Sequence, residues 1–110
     1  MKLYIATPIN ARKEPTMREK FLSAKHRIAM LKEVLADDIK FKEYELISTF
    51  DFNNMYDADE EKAMSSCIYH VLCADAIYLD HGWNASKGCN LEYRTAKIYG
   101  KQIFEHDKLW

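Results

Sequence analysis

The stretch His81-Gly-Trp-Asn-Ala-Ser-Lys-Gly-Cys-Asn-Leu-Glu92 gathers a hydroxyl, a lysine, a glycine and a carboxylate into a short span. Ser86, Lys87 and Gly88 stand where a helix is expected to begin. The first N–H groups of a helix are unpaired and sit at the positive end of its dipole, which makes them a ready anion site. A phosphate suits that chemistry, with Lys87 adding positive charge. Glu92 lies four residues after Gly88, one turn into the same helix, so its carboxylate shares a face with Gly88, and with Tyr99 seven residues further on. The same residues equally suit a plainer arrangement, in which Ser86 only caps the helix and Glu92 pairs with solvated neighbours.

Other side chains compete for a role. Asp80 closes a predicted strand and can reach a base or a sugar hydroxyl, or simply cap a loop. Trp83, in a loop beside a glycine, can stack on a nucleobase or cover the end of the sheet. Cys67-x-x-His70 with Cys89 invites a zinc reading, but no second closely spaced ligand pair and no HExxH accompany it, so no metal is expected.

Alternating strands and helices must position these groups. Lys2 to Ala6 reads as a strand, ended by Thr7-Pro8-Ile9-Asn10, where Pro8 removes a ladder donor. Thr16-Met17-Arg18-Glu19 has the form of a capping box. Phe21, Ala24, Ile28, Leu31 and Leu35 then recur at helical spacing, predicting a long helix to about Asp37. Tyr44 to Phe50 reads as a second strand and Asp51 to Asp57 as its loop. Four acidic residues between Asp57 and Glu61 suit a helix N-terminus, and Met64, Ile68, Val71 and Leu72 supply its apolar stripe to about Cys73. Ala74 to Leu79 is apolar apart from Asp75, as a strand covered on both faces should be. Leu91, Thr95 and Ile98 lie on one side of a third helix that stops at Gly100, and Lys101 to Glu105 reads as a fourth strand followed by a tail.

This order predicts a three-layer α/β domain of Rossmann or flavodoxin-like type, with a mainly parallel sheet of four to five strands and right-handed crossovers. Functional residues then collect in the loops at the carboxyl ends of the strands: Thr7 to Arg12, Asp51 to Asp57 and Asp80 to Gly88. The 110 residues suffice for one domain, 48% of them hydrophobic and 30% charged. The 16 basic residues nearly balance 17 acidic ones, so nucleic-acid polymers are not expected partners. The N-terminal apolar run is too short for a signal peptide or a spanning helix, which points away from the membrane and to the cytoplasm. Three cysteines without a CxxC pair read as free thiols.

Leu3-Tyr-Ile-Ala-Thr-Pro8, the run Cys73 to Leu79, and Gly82-Trp83 followed by Ser86-x-Gly88-x-x-x-Glu92 together resemble the nucleoside 2-deoxyribosyltransferase superfamily, and within it the branch called DUF4406. The S-x-G-x-x-x-E spacing is also that of the 2'-deoxynucleoside 5'-monophosphate N-hydrolases. The resemblance implies that Glu92 is a nucleophile, that Ser86 and Gly88 hold a 5'-phosphate, that Tyr4 belongs to the active site at the end of the first strand, and that Pro8, Ile9 and Asn10 flank sugar and base. It implies a homodimer or higher homo-oligomer too, in keeping with the seven tyrosines and two tryptophans. Two positions depart from the pattern. Cys67 stands where relatives carry a supporting aspartate, and the first loop offers Arg12 as its one replacement for a missing arginine.

The reading is therefore an enzyme of the N-glycosidic bond, a deoxyribosyltransferase or a deoxynucleoside monophosphate hydrolase, acting without a cofactor on a nucleoside or nucleotide. A nucleophilic carboxylate has to be ionised, and the helix dipole near Glu92 is expected to favour that form. The alternative is a catalytically silent protein that binds or senses nucleotides.

Overall fold

The alternating side-chain directions of β1 (Lys2–Ala6) send its apolar residues to two different cores in the computed structural model, which describes residues 1–52 and 60–109. Leu3 and Ile5 pack with Ile28, Leu31 and Leu35 of α1 (Met17–Ala36) and with Phe41. Tyr4 and Ala6 point the other way, to Cys67 and Val71 of α2 (Glu60–Cys73) and to Cys89 and Ala96 of α3 (Lys87–Ile98). β3 (Ala76–Leu79) repeats the division: Ala76 and Tyr78 face α1, Ile77 and Leu79 face α2 and α3. A strand covered on both faces has no wet side, which accounts for its nearly continuous apolar sequence.

β2 (Glu45–Ser48) and β4 (Gln102–Glu105) complete a four-stranded sheet in the order β2-β1-β3-β4. Every pairing is parallel; Leu3 stands opposite Leu46 on one side and Ala76 on the other. The expected three-layer α/β domain is thus found, with four strands. Because β1 is flanked by β2 on one side and β3 on the other, successive crossovers leave it in opposite directions and open a crevice between the carboxyl ends of β1 and β3.

Local signals set the helix boundaries. Thr16 Oγ1 accepts from the Glu19 amide at 3.1 Å and starts α1, as the T-x-x-E pattern predicts. Gly100, with φ +68°, takes the left-handed conformation just beyond α3 that a residue with a Cβ adopts only under strain. Asp75 works at the opposite end of the central strands from the crevice, where its carboxylate accepts from the Lys2 amide at 2.8 Å.

Some expectations are corrected. The second strand is shorter than Tyr44 to Phe50, because Thr49–Asp51 form a 3-10 turn in which Asp51 Oδ2 accepts from the Ser48 amide at 2.7 Å. The chain end is not a plain tail: His106–Leu109 form a short helix, α4, where the His106 ring meets the Tyr78 hydroxyl. In α2 the fully packed positions are Ala63, Cys67 and Val71, while Leu72 faces outward. In α3 the side bearing Leu91 and Ile98 is also turned outward, with Ile98 78% exposed, and Cys89, Glu92 and Ala96 are packed instead. Small side chains at 89 and 96 let the helix approach the sheet, and they carry Glu92 inward with them. The loop residues 53–57 and the acidic cap residues Asp57 and Asp59 lie outside the described residues. Among the described residues no helix is long and apolar enough to cross a membrane.

Candidate functional site

A cleft of about 790 Å³ opens at the crevice between β1 and β3. Its lining comes from five places: the end of β1 with the following loop, the first turns of α1, Thr49 just after β2, the face of α2 around Met64 and Cys67, and the first turns of α3 with the residues before them. It therefore lies where a parallel sheet with this strand order is expected to bind a ligand.

The α3 wall is built by its cap. Ser86 has extended backbone, its Oγ accepts from the Cys89 amide at 3.2 Å, and its hydroxyl is also hydrogen-bonded to the Cys89 thiol, a weak acceptor. Asn90 Nδ2 donates to the carbonyls of Asn84 at 2.9 Å and Ser86 at 2.8 Å, fastening the preceding turn to the helix. A Cβ on Gly88 would fall 3.3 Å from Met64 Sδ, so the glycine lets the thioether of α2 lie against the first turn of α3. Ser86, Lys87 and Gly88 all line the cleft, and among the described lining residues Lys87 is the one cation.

Glu92 lies on the cleft wall one turn further along, only 6% exposed. The Tyr4 hydroxyl, on the neighbouring strand, donates to its carboxylate, which favours the charged form; burial acts against it more strongly and raises the group from 4.5 to about 7. The helix dipole therefore does not decide its charge: Glu92 lies beyond the first turn of α3, where the dipole's influence has faded. Tyr4 is itself 1% exposed and sits in the middle of β1, not at its end. Its phenol is raised well above 10 by burial, and further by Glu92 and Cys67. Cys67 Sγ lies 3.2 Å from Thr49 Oγ1 and is hydrogen-bonded to Tyr4 as well. Beside it, Cys89 is pushed up to about 12, mainly by burial, and so stays a thiol. The floor of the cleft is a hydrogen-bonded set, Thr49, Cys67, Tyr4 and Glu92, in which Glu92 changes charge near neutral pH.

The expected site residues divide into two groups. Tyr4, Ile9, Asn10, Ser86, Lys87, Gly88 and Glu92 line one cleft. Asp80, Pro8, Arg12 and Trp83 do not. Asp80 is 2% exposed and ion-paired with Arg27 of α1 at 2.7 Å, and it also accepts from the His81 amide at 2.7 Å. Its carboxylate anchors α1 to the end of β3. Pro8 is buried beside Gly82, whose φ of +81° turns the chain after β3. Arg12 Nε donates to Ser23 Oγ at 3.1 Å and pairs loosely with Glu14. Trp83 packs against Tyr93 of α3 with the rings tilted and their centroids 4.8 Å apart. Tyr99 caps the C-terminus of α3 and is exposed, off the face that carries Glu92. His70, the middle residue of the zinc pattern, stacks on Phe52 at 3.5 Å, and among the described residues no group of three or more His, Cys, Asp and Glu is placed to hold a metal.

Sequence reasoning did not select Thr7, Met17, Phe21, Thr49 or Met64, all of which line the cleft. Thr7 opens the expected loop Thr7 to Arg12, and that position was the available signal, whereas Thr49 fell inside the expected second strand and follows a strand only because β2 ends at Ser48. Nothing local marks the other three, because an apolar side chain at helical spacing reads as core.

Compared with curated proteins, the chain finds no match. Compared with protein families, it matches the one described as "Domain of unknown function (DUF4406)" over residues 1–105.

Proposed function

The chain belongs to the DUF4406 family, and from that footing we propose that it is a nucleotide-binding enzyme of the N-glycosidic bond, with Glu92 as nucleophile. The observation that carries this reading is the placing of a buried carboxylate, with Tyr4 hydrogen-bonded to it, one turn from the anion-binding start of α3 and within the same cleft. A Glu92 oxygen bonds to the anomeric carbon as the carbon–nitrogen bond breaks, and the electron pair leaves with the base, which takes up a proton. Water or a second base then attacks the same carbon and frees the carboxylate. Ser86, Lys87 and the amides of α3 hold a 5'-phosphate, while Ile9, Asn10, Met17 and Phe21 border the sugar and base. A second copy of the chain is the proposed partner, the exposed Tyr69 and Leu72 of α2 and Ile98 of α3 supporting apolar contacts, and the cytoplasm the proposed location.

The test is release of free base from the four common deoxynucleosides and their 5'-monophosphates. Glu92→Gln keeps the shape and removes the charge, so turnover falls by orders of magnitude while ligand affinity stays within a few-fold. Equal turnover in the variant rejects the nucleophile. A second reading, a silent nucleotide-binding protein, is favoured by Cys67, which supplies no carboxylate beside Glu92. Ligand-dependent thermal shift with no base release selects it.

A further inference from the structure

Thr7 directly follows β1 and lines the cleft, and its hydroxyl oxygen is 3.2 Å from Asp80 Oδ2. Arg27 donates to the same carboxylate through Nε at 3.0 and 3.2 Å and through a terminal nitrogen at 2.7 Å. An ion-paired carboxylate accepts hydrogen bonds and donates none, so the proton shared between Thr7 and Asp80 belongs to Thr7. A hydroxyl has one proton and two lone pairs. With the proton committed inside the protein, Thr7 offers the cleft acceptor capacity alone.

Ser86 has the reverse polarity. Its oxygen already accepts from the Cys89 amide, and its proton is directed only at the Cys89 sulfur, a weak acceptor that a phosphate oxygen can displace. The two hydroxyls thus sort a ligand's groups: an anion is taken by Ser86 and refused by Thr7, whereas a donor is taken by Thr7. Thr7 is held to Asp80 at the end of β3, the strand that leads into the Ser86 cap, and Ile9, Met17 and Phe21 form the more apolar border beyond it. The donor-bearing part of a nucleotide next to its phosphate is the sugar. We propose that Thr7 is a specificity-determining residue that accepts a hydrogen bond from the 3'-hydroxyl of the ligand, its polarity fixed by the Asp80–Arg27 pair. This rests on the nucleotide reading given above.

The experiment is calorimetric titration of the four deoxynucleoside 5'-monophosphates, followed by the tightest of them against its 2',3'-dideoxy counterpart. The intact protein should bind the dideoxy form about 3- to 10-fold more weakly, the change expected for one neutral hydrogen bond. Thr7→Val should bind both forms with the weaker affinity, and Thr7→Ser, which keeps the acceptor, should restore the difference. Equal binding of the two forms by the intact protein, or undiminished discrimination by folded Thr7→Val, overturns the Thr7 assignment and leaves the nucleotide reading standing. If none of the four monophosphates binds, the nucleotide reading itself has failed and the assignment with it. The comparison on the intact protein decides the matter even where Thr7→Val does not fold.

Discussion

Tyr4 in the middle of β1 donates a hydrogen bond to Glu92 in the second turn of α3, from a phenol that burial has made a very weak acid. The phenol thus stays protonated while the carboxylate titrates, and the bond favours the charged form of Glu92 without offsetting its burial. Glu92 is left at about 7, poised between acid and carboxylate at neutral pH.

The first consequence is a pH dependence of stability. A carboxyl at about 7 when folded and at 4.5 when unfolded binds more protons in the native state between those values, so its contribution to stability falls as pH rises from about 4.5 to about 7 and is flat above. The full change is on the order of 3 kcal/mol. Urea unfolding of the intact protein and of Glu92→Gln across pH 4.5 to 8 checks this. The variant should gain on the parent as pH rises, and parallel curves would remove Glu92 as the cause. Under the proposed chemistry, base release should also rise with pH and level off above about 7.

Cys67→Asp places a second carboxyl in the same hydrogen-bonded set, where Cys67 already meets Tyr4 and Thr49. Like charges resist joint ionisation, so the midpoint of Glu92 should move above 7 and stability at pH 8 should fall by several kcal/mol at most. If the site lacks only an acid, base release should increase. The pH profile of the variant is the measurement; an unmoved midpoint would mean that position 67 does not sense Glu92.

Ser86 has two duties that separate by measurement. Removing its cap on the Cys89 amide should cost about 1 kcal/mol of stability, read by denaturant unfolding of Ser86→Ala. Losing a charge-assisted bond to phosphate should weaken monophosphate binding by roughly one to two orders of magnitude and leave nucleoside binding nearly unchanged. Calorimetric titration of both ligands checks it. A stability loss alone would make Ser86 a cap only.

Breaking the Arg27–Asp80 pair should be asymmetric. Asp80 is almost wholly buried, whereas the Arg27 side chain keeps 24% of its exposure. Arg27→Met leaves a buried charge without its counter-ion and should cost about 3 kcal/mol, at the low end for such pairs because Thr7 and the His81 amide still donate to it. Asp80→Asn leaves a guanidinium that can turn to water and should cost about 1–2 kcal/mol. Denaturant midpoints of the two variants give the order; the reverse order would show that Asp80 is not the member that depends on pairing.

Sequence alone determined what depends on neighbours along the chain. The T-x-x-E cap of α1, the apolar spacing from Ala24 to Leu35, the unbroken apolar β3, and Ser86 capping a helix that carries Glu92 one turn after Gly88 are set by local geometry and could be read directly. Tertiary structure decided what those residues meet. Parallel crossovers brought Tyr4, Thr49 and Cys67 to Glu92 from three other segments, and no periodicity records that meeting. The same holds for Asp80: the strand end was legible, but its capture by Arg27 was not, since the partner lies on the helix packed across the opposite face of the sheet. The charge of Glu92 follows the same rule. A helix position suggested an ionised carboxylate, and burial, which only the packed chain has, moved it to about 7.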